Sequence, residues 1–119
     1  MEHKAKKIKI GEETLTTEGA ELFLNLIEKM YTTHPNLSDR EIADSFGLTT
    51  LNFRNKKAAA QRIKRNQQIL EVRRMMAEGM SISEIADRIN RSERVVTELS
   101  EKQDLYPTVI ETYVTVRVE

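Results

Sequence analysis

A short pattern that occurs twice at one spacing constrains this chain more than any other feature. Ser38–Asp44 and Ser81–Asp87 both read S-x-x-E-I-A-D, and each position lies 43 residues from its counterpart. The register continues on both sides, pairing Leu26 with Ile69, Ile27 with Leu70, Glu28 with Glu71, Leu37 with Met80, Phe46 with Ile89 and Phe53 with Val96. One structural unit is therefore expected to occur twice.

The residues say what kind of unit. Serine at an N-cap with glutamate three positions on is a capping box, so helices are predicted to start after Ser38 and Ser81. Ile-Ala follows, and an apolar residue stands three positions after each alanine. One helical face then carries large, small and large residues, and the small one lets a second helix approach closely. Gly47 after Phe46 and Asn90 after Ile89 are the residue types that enter the left-handed region most readily, which predicts a sharp stop. Two positions later Thr49 and Ser92 can cap a new helix carrying Phe53 or Val96 on its inner face. A short helix, a tight turn and a second helix packed across an alanine make a helix-turn-helix, whose second helix can lie in the DNA major groove.

Charge supplies the second argument. The chain of 119 residues balances 19 basic against 19 acidic side chains, but the average conceals the layout. Arg54, Lys56, Lys57, Arg62, Lys64, Arg65, Arg73 and Arg74 meet only Glu71 between positions 54 and 74, a local excess of +7. The flanks are acidic, at −3 before and −4 after it. One basic segment between acidic flanks is the footprint of a face that meets a polyanion.

Gly79–Leu99 resembles the helix-turn-helix of insertion-element transposases, of sigma-factor region 4 and of response-regulator output domains, and Leu37–Arg54 resembles the same superfamily more loosely. The resemblance covers roughly residues 18 to 103 and implies a helix ahead of each motif. Leu22, Phe23, Leu26, Ile27 and Met30 form one such helix, and Ile69, Leu70, Val72 and Met76 the other. The expected fold is mainly α, with two tandem trihelical helix-turn-helix units and a short β-strand tail. Residues 1–16 form a basic arm with a strand-like piece at Lys6–Ile10, 17–66 the first unit, 67–105 the second and 106–119 the tail. Carried over position by position, the base-facing sites fall on Thr49, Thr50, Asn52, Arg54 and Asn55 in the first copy, and on Ser92, Glu93, Arg94 and Thr97 in the second. Lys56, Lys57, Arg62, Lys64 and Arg65 back the first copy as phosphate-reaching cations, whereas Glu98, Glu101 and Asp104 surround the second. The first copy is thus expected to lead in DNA contact, with Arg91 and Arg94 adding a smaller footprint or none. Lys56 also stands at an inner position of the first copy, and Leu51 where a polar residue is usual.

Two stretches leave alternatives open. Leu48–Glu78 has no Gly or Pro over 31 residues, which predicts either one long helix coupling the two units or a break near Asn66, within the polar run Arg65–Gln68. From Val109 to Val118 apolar and polar residues alternate as in a strand. A lone strand is not stable, so the tail must pair with the N-terminal segment, with another chain to give an oligomer, or with sequence beyond it.

The chain has no cysteine, which excludes disulfides, thiolate metal sites and a cysteine nucleophile together. The basic start is followed by no apolar run of signal-peptide or membrane-spanning length, so a cytoplasmic location without membrane contact is expected. His3 and His34 stand alone, and there is neither a Gly-rich phosphate loop nor an H-E-x-x-H pattern. The expected function is sequence-specific binding of double-stranded DNA, as a regulator or recognition subunit of a phage or mobile-element system, with no enzymatic activity, metal or cofactor. Two alternatives are a phage terminase small subunit, whose order of elements is similar, and a protein-interaction adaptor that binds no DNA.

Overall fold

The computed structural model describes residues 4–118. The order of elements is β1 (Lys4–Thr14), α1 (Thr17–Thr33), α2 (Asp39–Ser45), α3 (Thr50–Ala77), α4 (Ile82–Ile89), α5 (Glu93–Glu101) and β2 (Val109–Val118). The protein is mainly helical, with one two-stranded antiparallel sheet. Among the described residues no helix is long and apolar enough to cross a membrane. Two compact units are present, one formed by Met1–Gln61 with Thr108–Glu119 and the other by Arg62–Pro107.

The helix boundaries follow from local chemistry. Ser38 and Ser81 both accept the backbone N–H of the glutamate three residues on, at 3.2 Å in each case. Glu41 and Glu84 reach back to the serine N–H groups, completing two capping boxes. Gly47 at φ +68° and Asn90 at φ 57° supply the left-handed stops. The chain then folds back in the same way twice. Leu48 N–H donates to the Ala43 carbonyl at 2.9 Å, and Arg91 N–H donates to the Ala86 carbonyl at 3.0 Å. Thr49 caps α3 and Ser92 caps α5.

In the first unit the core is aromatic. Phe23, Phe46 and Phe53 come from α1, the end of α2 and α3, with ring centroids 5.0 to 6.3 Å apart. Ile27, Ile42 and Ala43 are buried around them. Lys56, at its inner position, extends its ammonium over the Phe23 ring at 4.9 Å, so its stem covers the cluster while the charge stays at the surface. The second unit has an aliphatic core of Ile69, Val72, Met75, Ile85, Ala86, Val96 and Leu99.

The apolar faces of α1 and of the C-terminal part of α3 differ from the sequence expectation. Leu22 and Leu26 are 62 % and 41 % exposed, and Leu70 and Met76 are 50 % and 43 % exposed. Each segment carries two apolar stripes, and the partners select one: Ala20, Phe23 and Ile27 in α1, and Ile69, Val72 and Met75 in α3.

Helix α3 is continuous over 28 residues, about 42 Å at 1.5 Å per residue, with no break near Asn66. The tail pairs with the N-terminal segment in antiparallel register, from Lys4 opposite Val118 to Thr14 opposite Val109, with an irregularity between Lys9 and Gly11. The N-terminal strand thus extends at both ends beyond Lys6–Ile10.

Ala43 is fully buried and Ala86 is 6 % exposed. Ala43→Leu and Ala86→Leu should each destabilise the chain by about 1–3 kcal/mol through overpacking, read as a lowered melting temperature. Melts matching wild type for both would contradict close packing at the two alanines.

Candidate nucleic-acid interface

The first turns of α3 hold most of the residues singled out by sequence, and their side chains are committed to differing degrees. Thr49 is the helix cap, accepting from Asn52 N–H at 3.2 Å, and Thr50 opens the helix half-buried. Asn52 is fully engaged. Its Nδ2 donates to the Tyr113 carbonyl and its Oδ1 accepts from the Tyr113 N–H, both at 2.9 Å. An adenine contact would use both ends of the same amide; in the structure those ends are paired with the Tyr113 peptide and anchor β2 on α3. Asn55 leans the same way, donating to the Glu111 carbonyl at 3.5 Å.

Arg54 remains at the surface. Its Nε donates to Asp39 Oδ2 at 3.1 Å, while the Tyr31 hydroxyl donates to Asp39 Oδ1 at 3.3 Å. The Arg54 guanidinium beside Asp39, helped by the Tyr31 hydroxyl, holds the carboxyl below the usual carboxylate range. Burial and the same carboxylate push the Tyr31 hydroxyl up. With its side chain 62 % exposed, Arg54 gives up a pair worth about 0–1 kcal/mol when it turns to another anion. Lys57 lies over the Tyr31 ring at 5.6 Å, another contact weak enough to exchange for a phosphate.

In the second unit the cations divide more sharply. Arg62 Nε donates to the Pro107 carbonyl at 2.8 Å. Arg73 donates to the carbonyls of Lys102 and Gln103 at 2.6 and 2.7 Å. Arg74 pairs with Glu71 and Glu78. Arg62 and Arg73 tie the segment after α5 to the helix, whereas the acids beside Arg74 lie one turn away on either side of it. Lys64 is exposed and Arg65 half-buried. Among the described residues, no backbone carbonyl or acid on α3 itself holds Arg54, Lys56 and Lys57 in the first unit, or Lys64 and Arg65 in the second. At the start of α5, Arg91 is exposed and Ser92 caps the helix, accepting from Val95 N–H at 3.3 Å. Arg94 extends into solvent, 88 % exposed, beside Glu98 at 3.3 Å.

A second anchor lies outside the residues that the sequence pattern points to. Asn66, buried within the polar run of α3, donates to the Tyr106 carbonyl at 2.9 Å and accepts the Tyr106 N–H at 2.8 Å. This repeats the Asn52 arrangement. An asparagine inside a helix that carries neither a cap nor a break is the signal that could have pointed to it.

No protein family, curated protein or solved structure matches the chain.

Two predictions follow from these contacts. Asn52→Ala leaves a part-buried peptide group of Tyr113 without partners and should cost about 1–3 kcal/mol; an unchanged denaturant midpoint would contradict the clamp. Asp39, held low in the folded chain, contributes stability that is fully present above its ordinary titration range and is lost as pH falls through the lowered value. In Arg54→Ala the carboxyl should titrate nearer its ordinary value in a side-chain NMR titration. An identical curve in both proteins would mean that the pair does not form in solution.

Proposed function

We propose that the chain binds double-stranded DNA as a tandem helix-turn-helix protein, and that it acts as a regulator or recognition subunit of a phage or mobile-element system. One observation carries the reading: the same stop-and-restart of the backbone occurs twice, with a capping box, a left-handed residue, an N–H returned to the alanine carbonyl and a capped second helix. That local geometry is the one that presents the start of a second helix to a groove. Its biological setting rests on the resemblance to transposase and regulator motifs.

In this reading the first unit leads. Arg54 is the base-edge contact, with Thr49 and Thr50 beside it at the helix start, and Lys56 and Lys57 meet phosphates. Lys64 and Arg65 add phosphate contacts from the second unit. Asn52 takes no part in reading sequence and keeps β2 on the recognition helix instead. Arg94 contributes less, because Glu93, Glu98 and Glu101 share its helix.

A protein-interaction role is favoured by a different observation, an open and largely apolar groove of about 450 Å³ lined by Leu26, Met30 and Phe46 among others. The two readings part in a binding titration. If three to five of the available cations meet phosphates, the log–log dependence of affinity on salt should have a slope of about −3 to −4.5. Arg54→Ala should weaken binding to a selected site by about 1–3 kcal/mol, and more than Arg94→Ala does at the same salt. Absence of binding at low salt would turn the assignment to the adaptor, and a larger loss from Arg94→Ala would make the second copy the reader.

A further inference from the structure

The β1–β2 ribbon belongs to the first unit and is held at one end. Ile110 is buried and Tyr113 is clamped by Asn52. By contrast, every residue of β1 from Ala5 to Thr14 is exposed. The strand is retained by its ladder to β2 and contributes nothing to a core.

Charge is sorted along this ribbon. At the anchored end stand Glu12, Glu13 and Glu111, and Lys9 is ion-paired with Glu12 and Glu111. Beyond Lys9, the stretches Lys4–Ile8 and Val114–Val118 hold Lys4, Lys6, Lys7 and Arg117 and no acid. Lysines on an exposed strand edge keep it from pairing with other chains, and Arg117 on the paired strand adds a cation that edge protection of β1 does not require. Counting Glu2 and Glu119, which lie just outside these stretches in the sequence, four cations meet two acids, and the balance is still positive. The register places Lys7 opposite Thr115 and Arg117 opposite Ala5 on one face, and Lys6 opposite Val116 on the other.

Cations on both faces of a narrow ribbon suit a partner with anions on two sides. A planar anionic surface would engage one face and leave the other unused. The major groove of a duplex is about 12 Å wide, admits a two-stranded ribbon and is bordered by two rows of phosphates.

Resting on the DNA-binding reading, we infer that the free end of the ribbon is a second DNA contact, in which Lys6, Lys7 and Arg117 meet backbone phosphates. The clamp of Asn52 on Tyr113 joins this arm to the helix that carries Arg54. The contact is sequence-independent, because phosphates carry no base identity.

The test is a triple substitution, Lys6→Gln, Lys7→Gln and Arg117→Gln, titrated beside wild type with a selected duplex and a random duplex over a range of salt. All three side chains are exposed, and circular dichroism checks the fold. The slope should become shallower by about two to three, with equal loss on both duplexes. An unchanged slope in the variant overturns the ribbon contact and leaves the helix reading standing, whereas no binding by wild type overturns both. Loss on the selected duplex alone also overturns it, since a phosphate contact affects both. In unmodified protein, bound duplex should protect Lys6 and Lys7 from acetylation several-fold by mass spectrometry. Equal acetylation with and without duplex, or protection only by phosphatidylserine vesicles, overturns the proposal.

Discussion

Two very short helices depend on their ends. At seven and eight residues, α2 and α4 are well below the length at which a helix persists alone in water. Each exists because a serine–glutamate box satisfies its first N–H groups, a left-handed residue terminates it, and Ala43 or Ala86 lets it press against neighbouring helices. Once those ends are fixed, the position of the next helix is set within a few residues. The N–H groups of Leu48 and Arg91 return to the alanine carbonyls, and Phe53 and Val96 enter the cores. The aromatic cluster of one unit and the aliphatic cluster of the other are different fillings of one local frame.

Polar side chains on α3 do comparable work for the C-terminal segment. Asn52 and Asn66 each hold both polar groups of a single peptide residue, Tyr113 and Tyr106. A segment leaving α5 has no secondary structure to satisfy its backbone until β2 begins, and a helix face offering asparagine and arginine donors supplies those partners. The basic segment consequently has two duties. Arg62 and Arg73 satisfy carbonyls, while Arg54, Lys57 and Lys64 keep their charge at the surface, so net charge along the sequence overstates what is available to a polyanion.

The legible parts of the fold were those encoded by neighbouring residues. Ser38 with Glu41, Gly47, Asn90, Thr49 and Ser92 each act within one turn of chain, and the structure places each where the pattern put it. Longer-range choices were not legible. Leu22, Leu26, Leu70 and Met76 are apolar and helical, but only the packed neighbours decide which stripe is covered. The alternation of Val109–Val118 required a partner strand without specifying the N-terminal segment. Asn52 stands where a base-reading residue would stand, and the structure pairs its amide with Tyr113, 61 residues along the chain, a contact that no local pattern announces. The placement of the ribbon cations on both faces follows from the strand register, which no local pattern announces.

On the proposed function, DNA meets the start of α3 and the free end of the ribbon. The most direct measurement is an amide NMR titration of the whole chain with a short duplex. The largest shifts should fall on Thr49, Thr50, Arg54 and Lys57, together with Lys6, Lys7 and Arg117, while Leu22 and Leu26 on α1 stay in place. Shifts centred on Leu26, Met30 and Phe46, or none at saturating duplex, would contradict the account.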